Sequence, residues 1–140
     1  MGQINCVTCR KCGYHAETRE FFGMGGFVSM MRLKERLRSG EIDNPEALKL
    51  LEDQRLLFGY SAYLCTECKE FRTVDLPVGV ENIEPLPYGR ARCDYVFPFG
   101  KPHCEKCGKE MIYIPNIRSS KVKCPKCGGD LKARVCGIFD

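Results

Sequence analysis

The sequence has no tryptophan and only two histidines among its 140 residues, and no long apolar run interrupts it. No segment nears the ~18 consecutive apolar residues that a membrane-spanning helix needs. Met1 to Cys6 holds no hydrophobic stretch, so no secretory leader is expected. The myristoylation pattern fails at position 6, which is Cys rather than Ser or Thr. His15 and His103 stand in no Ser-His-Asp order, and no paired carboxylates occupy an apolar setting. Gly23-Met24-Gly25-Gly26 lacks the Lys-Ser/Thr pair of a phosphate loop, and Val28 stands where a dinucleotide fingerprint would place a third glycine. No enzyme activity and no small-molecule substrate is expected from these absences.

What the chain does have is cysteine. Eleven occur, eight of them accounted for by four separate Cys-x-x-Cys pairs, and an odd number without a leader argues against a secreted disulfide scaffold. A reducing cytoplasm with metal-bound thiolates is the expected setting. The clearest stretch runs Cys104-Glu-Lys-Cys107-Gly108, fifteen more residues, then Cys124-Pro-Lys-Cys127-Gly128. Two intervening residues make a turn tight enough to aim both sulfurs at one ion, and the following glycine accepts the positive φ such a turn needs. Cys104, Cys107, Cys124 and Cys127 are therefore expected to share one zinc.

The N-terminus reads Cys6-Val-Thr-Cys9-Arg-Lys-Cys12-Gly13, which contains two overlapping pairs. Cys9 and Cys12 are preferred as ligands because Gly13 follows them, with Cys6 a neighbour and the alternative ligand in place of either. Their partners are expected to be Cys65 and Cys68, across residues 13–64, a gap long enough to hold an insertion. Within it, Phe21–Phe27 reads as an apolar glycine-rich turn feeding a helix from Val28 to about Arg38, with Met30, Leu33 and Leu37 on one face. Asn44-Pro45-Glu46 reads as a cap, a first-turn proline and a first-turn acid, starting a second helix to about Phe58. Tyr60–Leu64, Phe71–Leu76, Ala91–Phe97, Met111–Ile114 and Leu131–Cys136 are the expected strands, and 77–90 the expected linker.

Taken together, these features predict a small metal-stabilised α+β fold of two zinc ribbons with short antiparallel strands. The first would span 1–80 and carry a two-helix insertion over about 21–58; the second would span 81–140. Two zinc ions per chain follow, and at roughly 10–16 kcal/mol of apparent binding free energy each would decide whether its ribbon folds. The rubredoxin-like iron site is the alternative, since it uses the same paired knuckles. Cys6, Cys93 and Cys136 are expected as small apolar residues, with a third metal site or a redox-responsive thiol as alternatives.

The formal charge of +4 does not survive two four-thiolate zinc sites, each of net −2. Residues 101–134 nevertheless keep nine basic against three acidic side chains, an excess that one such site lowers to about +4. Lys106, Lys109, Arg118, Lys121, Lys123 and Lys126, with Tyr113 to stack on a base, form a candidate nucleic-acid face. The competing expectation, and the preferred one, is a protein-interaction adaptor with an unidentified protein partner and no membrane.

Cys9–Gly13, Phe21–Phe27 and Tyr60–Cys68 together resemble uncharacterised bacterial zinc-ribbon proteins, and Cys104–Gly129 resembles zinc ribbons in general. The likeness covers about half the chain and implies zinc binding with no established activity. Lys69 departs from it, standing where a glycine often follows the second knuckle.

Overall fold

The computed structural model describes residues 1–140. In chain order the elements are β1 (Gly2–Cys9), β2 (His15–Glu20), α1 (Met24–Ser39), α2 (Pro45–Glu52), β3 (Leu56–Leu57), β4 (Tyr60–Cys65), β5 (Glu70–Asp75), β6 (Val78–Pro85), β7 (Ala91–Val96), β8 (Ile112–Ile114) and β9 (Leu131–Phe139). They form a small α+β structure of three antiparallel three-stranded sheets, ordered β2-β1-β9, β3-β6-β7 and β5-β4-β8.

The first sheet joins the two ends of the chain. β1 runs from Gly2 opposite Phe139 to Cys9 opposite Leu131, with a bulge between Ile4 and Asn5. Its inner face carries Val7, which packs with Ala62 and Phe71 of the β5-β4-β8 sheet and with Ile114 and Ile117. The two helices cover a separate cluster of Leu37, Ala47, Leu50, Leu51 and Leu56, against which Val96 and Phe99 also pack. A third cluster contains cysteine itself: Tyr63 and Met111 close around Cys65 and Cys104. Only 24 of the 140 residues are buried. A core this thin leaves stability dependent on additional cross-links.

Helix ends follow local chemistry. Asn44 Oδ1 accepts from Ala47 N at 3.0 Å while its Nδ2 donates to Pro98 O at 2.9 Å, so one side chain caps α2 and ties it to the turn after β7. α1 begins at Met24, four residues before the expected start, because Gly23 adopts the extended N-cap conformation and Phe27 N donates to Gly23 O. Gly25 and Gly26 therefore lie inside the first helical turn rather than in a loop. The second helix stops at Glu52 and not near Phe58. Gln54 takes φ +57°, Gln54 N donates to Leu51 O and Arg55 N to Leu50 O, a Schellman closure that frees Leu56 and Leu57 to pair with β6.

The stretch 77–90 is not a linker: it holds β6 and a short 3₁₀ turn at Pro87–Gly89. Its prolines sit where no ladder bond is required: Pro77 precedes β6, Pro85 ends it and Pro87 lies in a short 3₁₀ turn. Pairing also crosses the boundary drawn near residue 80, at Gly79 with Val96, at β4 with β8 and at β1 with β9.

Candidate metal centres

Four tight turns carry the paired cysteines. In three of them the residue after the second cysteine is a glycine at φ near +75°, and its N–H donates to the first cysteine's carbonyl: Gly13 to Cys9 at 2.9 Å, Gly108 to Cys104 and Gly128 to Cys124 at 2.8 Å. The first cysteine's own N–H returns the bond across the turn, Cys9 to Tyr14 O, Cys104 to Lys109 O and Cys124 to Gly129 O. The fourth turn has Lys69 in this position, and Lys69 adopts φ +55°. The backbone conformation is kept without the glycine, so the turn between β4 and β5 is a knuckle like the others.

The knuckles meet in two clusters, each with all four sulfurs within 4.8 Å of one another: Cys9, Cys12, Cys124 and Cys127, here centre 1, and Cys65, Cys68, Cys104 and Cys107, here centre 2. The expected partnership of Cys9 and Cys12 with Cys65 and Cys68, and of Cys104 and Cys107 with Cys124 and Cys127, is replaced by a nested one. Strand pairing is the reason. Cys9 ends β1 opposite Leu131, just after the 124–127 knuckle, and Leu64 pairs with Ile112, just after the 104–107 knuckle. Closing the short loop between Cys107 and Cys124 would cost about 2 kcal/mol less than closing one of more than a hundred residues. Two ladders of backbone hydrogen bonds outweigh that advantage. With the pairing exchanged, neither expected ribbon exists as a separate unit, and the helices lie between two centres rather than inside one.

The sulfur geometry fits a tetrahedral ion. Metal–sulfur bonds of about 2.3 Å place sulfurs about 3.8 Å apart. The closest pairs here are Cys9–Cys127 and Cys12–Cys124 at 3.5 Å, Cys65–Cys107 at 3.5 Å and Cys68–Cys104 at 3.8 Å. Zinc and iron both accept such a donor set. Within each centre two sulfurs are buried, Cys9 and Cys124 in one, Cys65 and Cys104 in the other, while Cys12 and Cys107 face solvent.

The surroundings favour thiolate at one sulfur of each centre and oppose it at others. Backbone N–H groups of Cys107 and Lys106 lower the Cys104 thiol to about 6, helped by Cys65 and Arg72. The Cys12 N–H does the same for Cys9, lowering it to about 7. Burial and the neighbouring thiols push Cys68 up to about 12, so in the absence of metal the four sulfurs of centre 2 do not all ionise together. Arg72 lies between the sulfurs of centre 2 and a carboxylate. Its Nε is buried with no hydrogen-bond partner, oxygen or sulfur. Burial alone would lower its pKa, yet Cys104, Glu70 and Cys68 hold it above its ordinary value. Arg72 Nη2 also meets Glu70 at 3.0 Å, so the guanidinium spans a carboxylate and the sulfur cluster.

The centres are neighbours. Lys126, inside the 124–127 knuckle, donates through Nζ to Cys68 O at 3.4 Å and lies 6.0 Å over the Tyr14 ring. Tyr14, just after the first knuckle, accepts from Phe71 N through its hydroxyl at 3.2 Å. A lysine and a tyrosine of centre 1 thus rest on the backbone that leaves centre 2.

The remaining candidates fall elsewhere. His15 and His103 are exposed and belong to neither cluster. Cys6 and Cys136, expected as buried apolar residues, are joined in a disulfide with Cα atoms 5.8 Å apart, and Cys136 is exposed. The Glu17 carboxylate lies beside both sulfurs, but a closed disulfide lacks the thiolate charge a cation requires. The sequence held one signal for this bond: Cys6 and Cys136 sit near opposite ends of a chain whose terminal strands pair. Cys93 remains a free, half-buried thiol.

The basic face is largely spoken for. Lys106 meets Glu70 at 3.9 Å, Lys109 meets Glu67 at 3.6 Å, and Lys123 pairs with Asp130. Tyr113 is packed among Tyr95, Tyr63 and Phe97 at centroid distances of 5.0, 5.3 and 5.7 Å, which removes its ring from stacking on a base. Arg118 and Lys121 are exposed and unpaired. No helix is long and apolar enough to cross a membrane. Compared with protein families, curated proteins and solved structures, the chain matches none.

Proposed function

We propose that the chain is a zinc-binding, non-enzymatic protein of the cytoplasm whose two four-cysteine centres are structural and whose surface serves as a protein-interaction adaptor. The observation that carries this reading is the pair of closed sulfur clusters, each with four cysteine donors and knuckle turns, and each next to the small cores it would hold together. Four thiolates complete a tetrahedral ion and leave no position for water or substrate, which is the mark of a structural rather than a catalytic site. The reducing cytoplasm keeps those thiols available to metal.

Support for an adaptor comes from α1. Met24, Phe27, Val28 and Met31 lie one helical turn apart along its outer side and are each at least 47% exposed. An apolar stripe of this kind on a small protein marks a place where another protein docks.

Metal analysis of protein purified without added metal tests the central part. Two zinc ions per chain and a colourless solution support it; one metal, none, or the visible thiolate–iron absorption of a rubredoxin-like site would overturn it. The nucleic-acid reading keeps one favourable feature, an open cleft beside centre 1 lined by Arg10, Lys11 and Lys132. A fluorescence titration with single-stranded RNA and DNA decides it. Binding that weakens steeply with salt would favour it over the adaptor, and no binding at low salt would remove it.

A further inference from the structure

We propose that Cys6 and Cys136 form a thiol–disulfide site, opened and closed by low-molecular-weight thiols and disulfides, that sets how fast centre 1 releases its metal. The second half rests on the zinc reading above; the first does not.

Position argues for reversibility. In the first sheet Val7, Asn5 and Thr18 point inward and are fully buried, so the alternate residues Thr8, Cys6 and Glu17 occupy the outward face. The bulge between Ile4 and Asn5 adds one residue to β9 and brings Cys136 to the same face as Cys6. The bond therefore lies on the solvent side of the sheet, with Cys136 exposed. Eight other cysteines of the same chain must be reduced to hold metal. Surroundings that keep those thiols reduced contain thiols able to reach an exposed disulfide.

The chemistry balances with two small thiols. A thiolate attacks the exposed Cys136 Sγ, the Cys136–Cys6 bond breaks, and Cys6 leaves as a thiolate that takes a proton from water. A second thiolate then attacks the small molecule's sulfur in the mixed disulfide and releases Cys136. The protein gains two electrons and two protons, and the two small thiols become one disulfide. Glutathione disulfide reverses the sequence.

Position also argues for the coupling. Two residues separate Cys6 from Cys9, and eight separate Cys127 from Cys136. The bond and the metal thus close a small ring across β1 and β9. For metal to leave centre 1, the 9–12 and 124–127 knuckles must part. With the bond closed, Val7 and Thr8 are the only slack on the β1 side, and a sulfur that lets go remains at high effective concentration beside the ion. With the bond open, the ladder can fray from the centre inward toward the bulge. Centre 2 is built on β4, β5 and β8 and shares neither strand.

The test uses the full chain in glutathione buffers poised oxidising or reducing. Alkylation and mass spectrometry read Cys6 and Cys136, and a chromogenic chelator reads metal release. Cys65→Ser protein, loaded at centre 1 alone, identifies which phase belongs to which centre. The expected result is a Cys6–Cys136 bond in the oxidising buffer, both residues alkylated in the reducing one, and release from centre 1 several-fold faster once the bond opens, with centre 2 unmoved. The double variant Cys6→Ser/Cys136→Ser should release at the fast rate in both buffers. If that variant does not fold, the comparison of the natural chain in the two buffers still decides. Absence of the bond in the oxidising buffer, its persistence in the reducing one, or equal release rates would overturn the proposal. Protein that carries no metal would sink the zinc reading and the coupling, while alkylation would still report on the bond.

Discussion

Lys69 shows how much a single residue can hide. A lysine in the left-handed region carries roughly 1–2 kcal/mol of steric cost, part of which a glycine would recover before its own entropic penalty of about 0.5–1 kcal/mol. Lys69→Gly should therefore leave the metal-loaded protein unchanged or more stable by up to about 1 kcal/mol. Gly108→Ala, at φ +75° in the sister turn, should destabilise it by about 1–2 kcal/mol. Urea midpoints of the two variants measured side by side check both signs, and a strongly destabilised Lys69→Gly would show that the lysine side chain itself holds the knuckle. The sulfurs make a second prediction at this scale. Protons compete with metal for thiolate, so affinity must fall as pH falls. Cys104, lowered to about 6, is already ionised at neutral pH, whereas Cys68, raised to about 12, is not. A chelator competition run from pH 7 to 8.5 should therefore show centre 2 releasing fewer than four protons on binding. A slope of four would mean that the backbone N–H groups do not hold Cys104 as a thiolate before metal arrives.

Among the elements, the knuckles were legible in the sequence and their partners were not. Cys-x-x-Cys-Gly states its turn locally, because sulfur aim and positive φ are decided within five residues. Which knuckle meets which is decided by strand ladders between residues far apart in sequence, Leu64 with Ile112 and Cys9 with Leu131, and Gly2–Cys9 and His15–Glu20 carry polar residues at positions that alternation would make apolar: Asn5 and Thr18 are fully buried. The same locality explains the helices. Asn44-Pro45 announced the start of α2, but a Schellman closure built on Gln54 has no glycine to announce its end. The nested pairing has a sharp consequence. Cys65→Ser should reduce the metal content from two to one and expose Cys68, Cys104 and Cys107 to alkylation, while Cys9, Cys12, Cys124 and Cys127 stay protected. Exposure of Cys9 and Cys12 in their place would restore the pairing expected from spacing.

For the whole molecule, the two centres act as clamps on a thin core and not as the hearts of two domains. Lys126 and Tyr14 lean from one centre onto the other, and β1 pairs on one side with β2 and on the other with β9 from the far end of the chain. Fragments 1–80 and 81–140, produced separately with zinc, should each lack a dispersed proton-NMR spectrum, since each has only half the ligands of either centre. A folded, zinc-bound fragment would mean that the knuckles can re-pair within a half. On the zinc reading proposed above, removing both metals with a strong chelator should unfold the chain, because a structural zinc is worth roughly as much as the whole stability of a typical domain.

The nesting of the centres also imposes an order on birth. As the chain leaves the ribosome, Cys9 and Cys12 emerge first, yet their partners at Cys124 and Cys127 emerge last among the ligands. Centre 2 can take its ion once Cys107 is out, while the first two thiols still wait, and β1 finds β9 only when Phe139 has followed. The earliest sulfurs made are the last to be secured, so a chain stalled between these events would present two unmatched thiols to whatever metal or oxidant it meets.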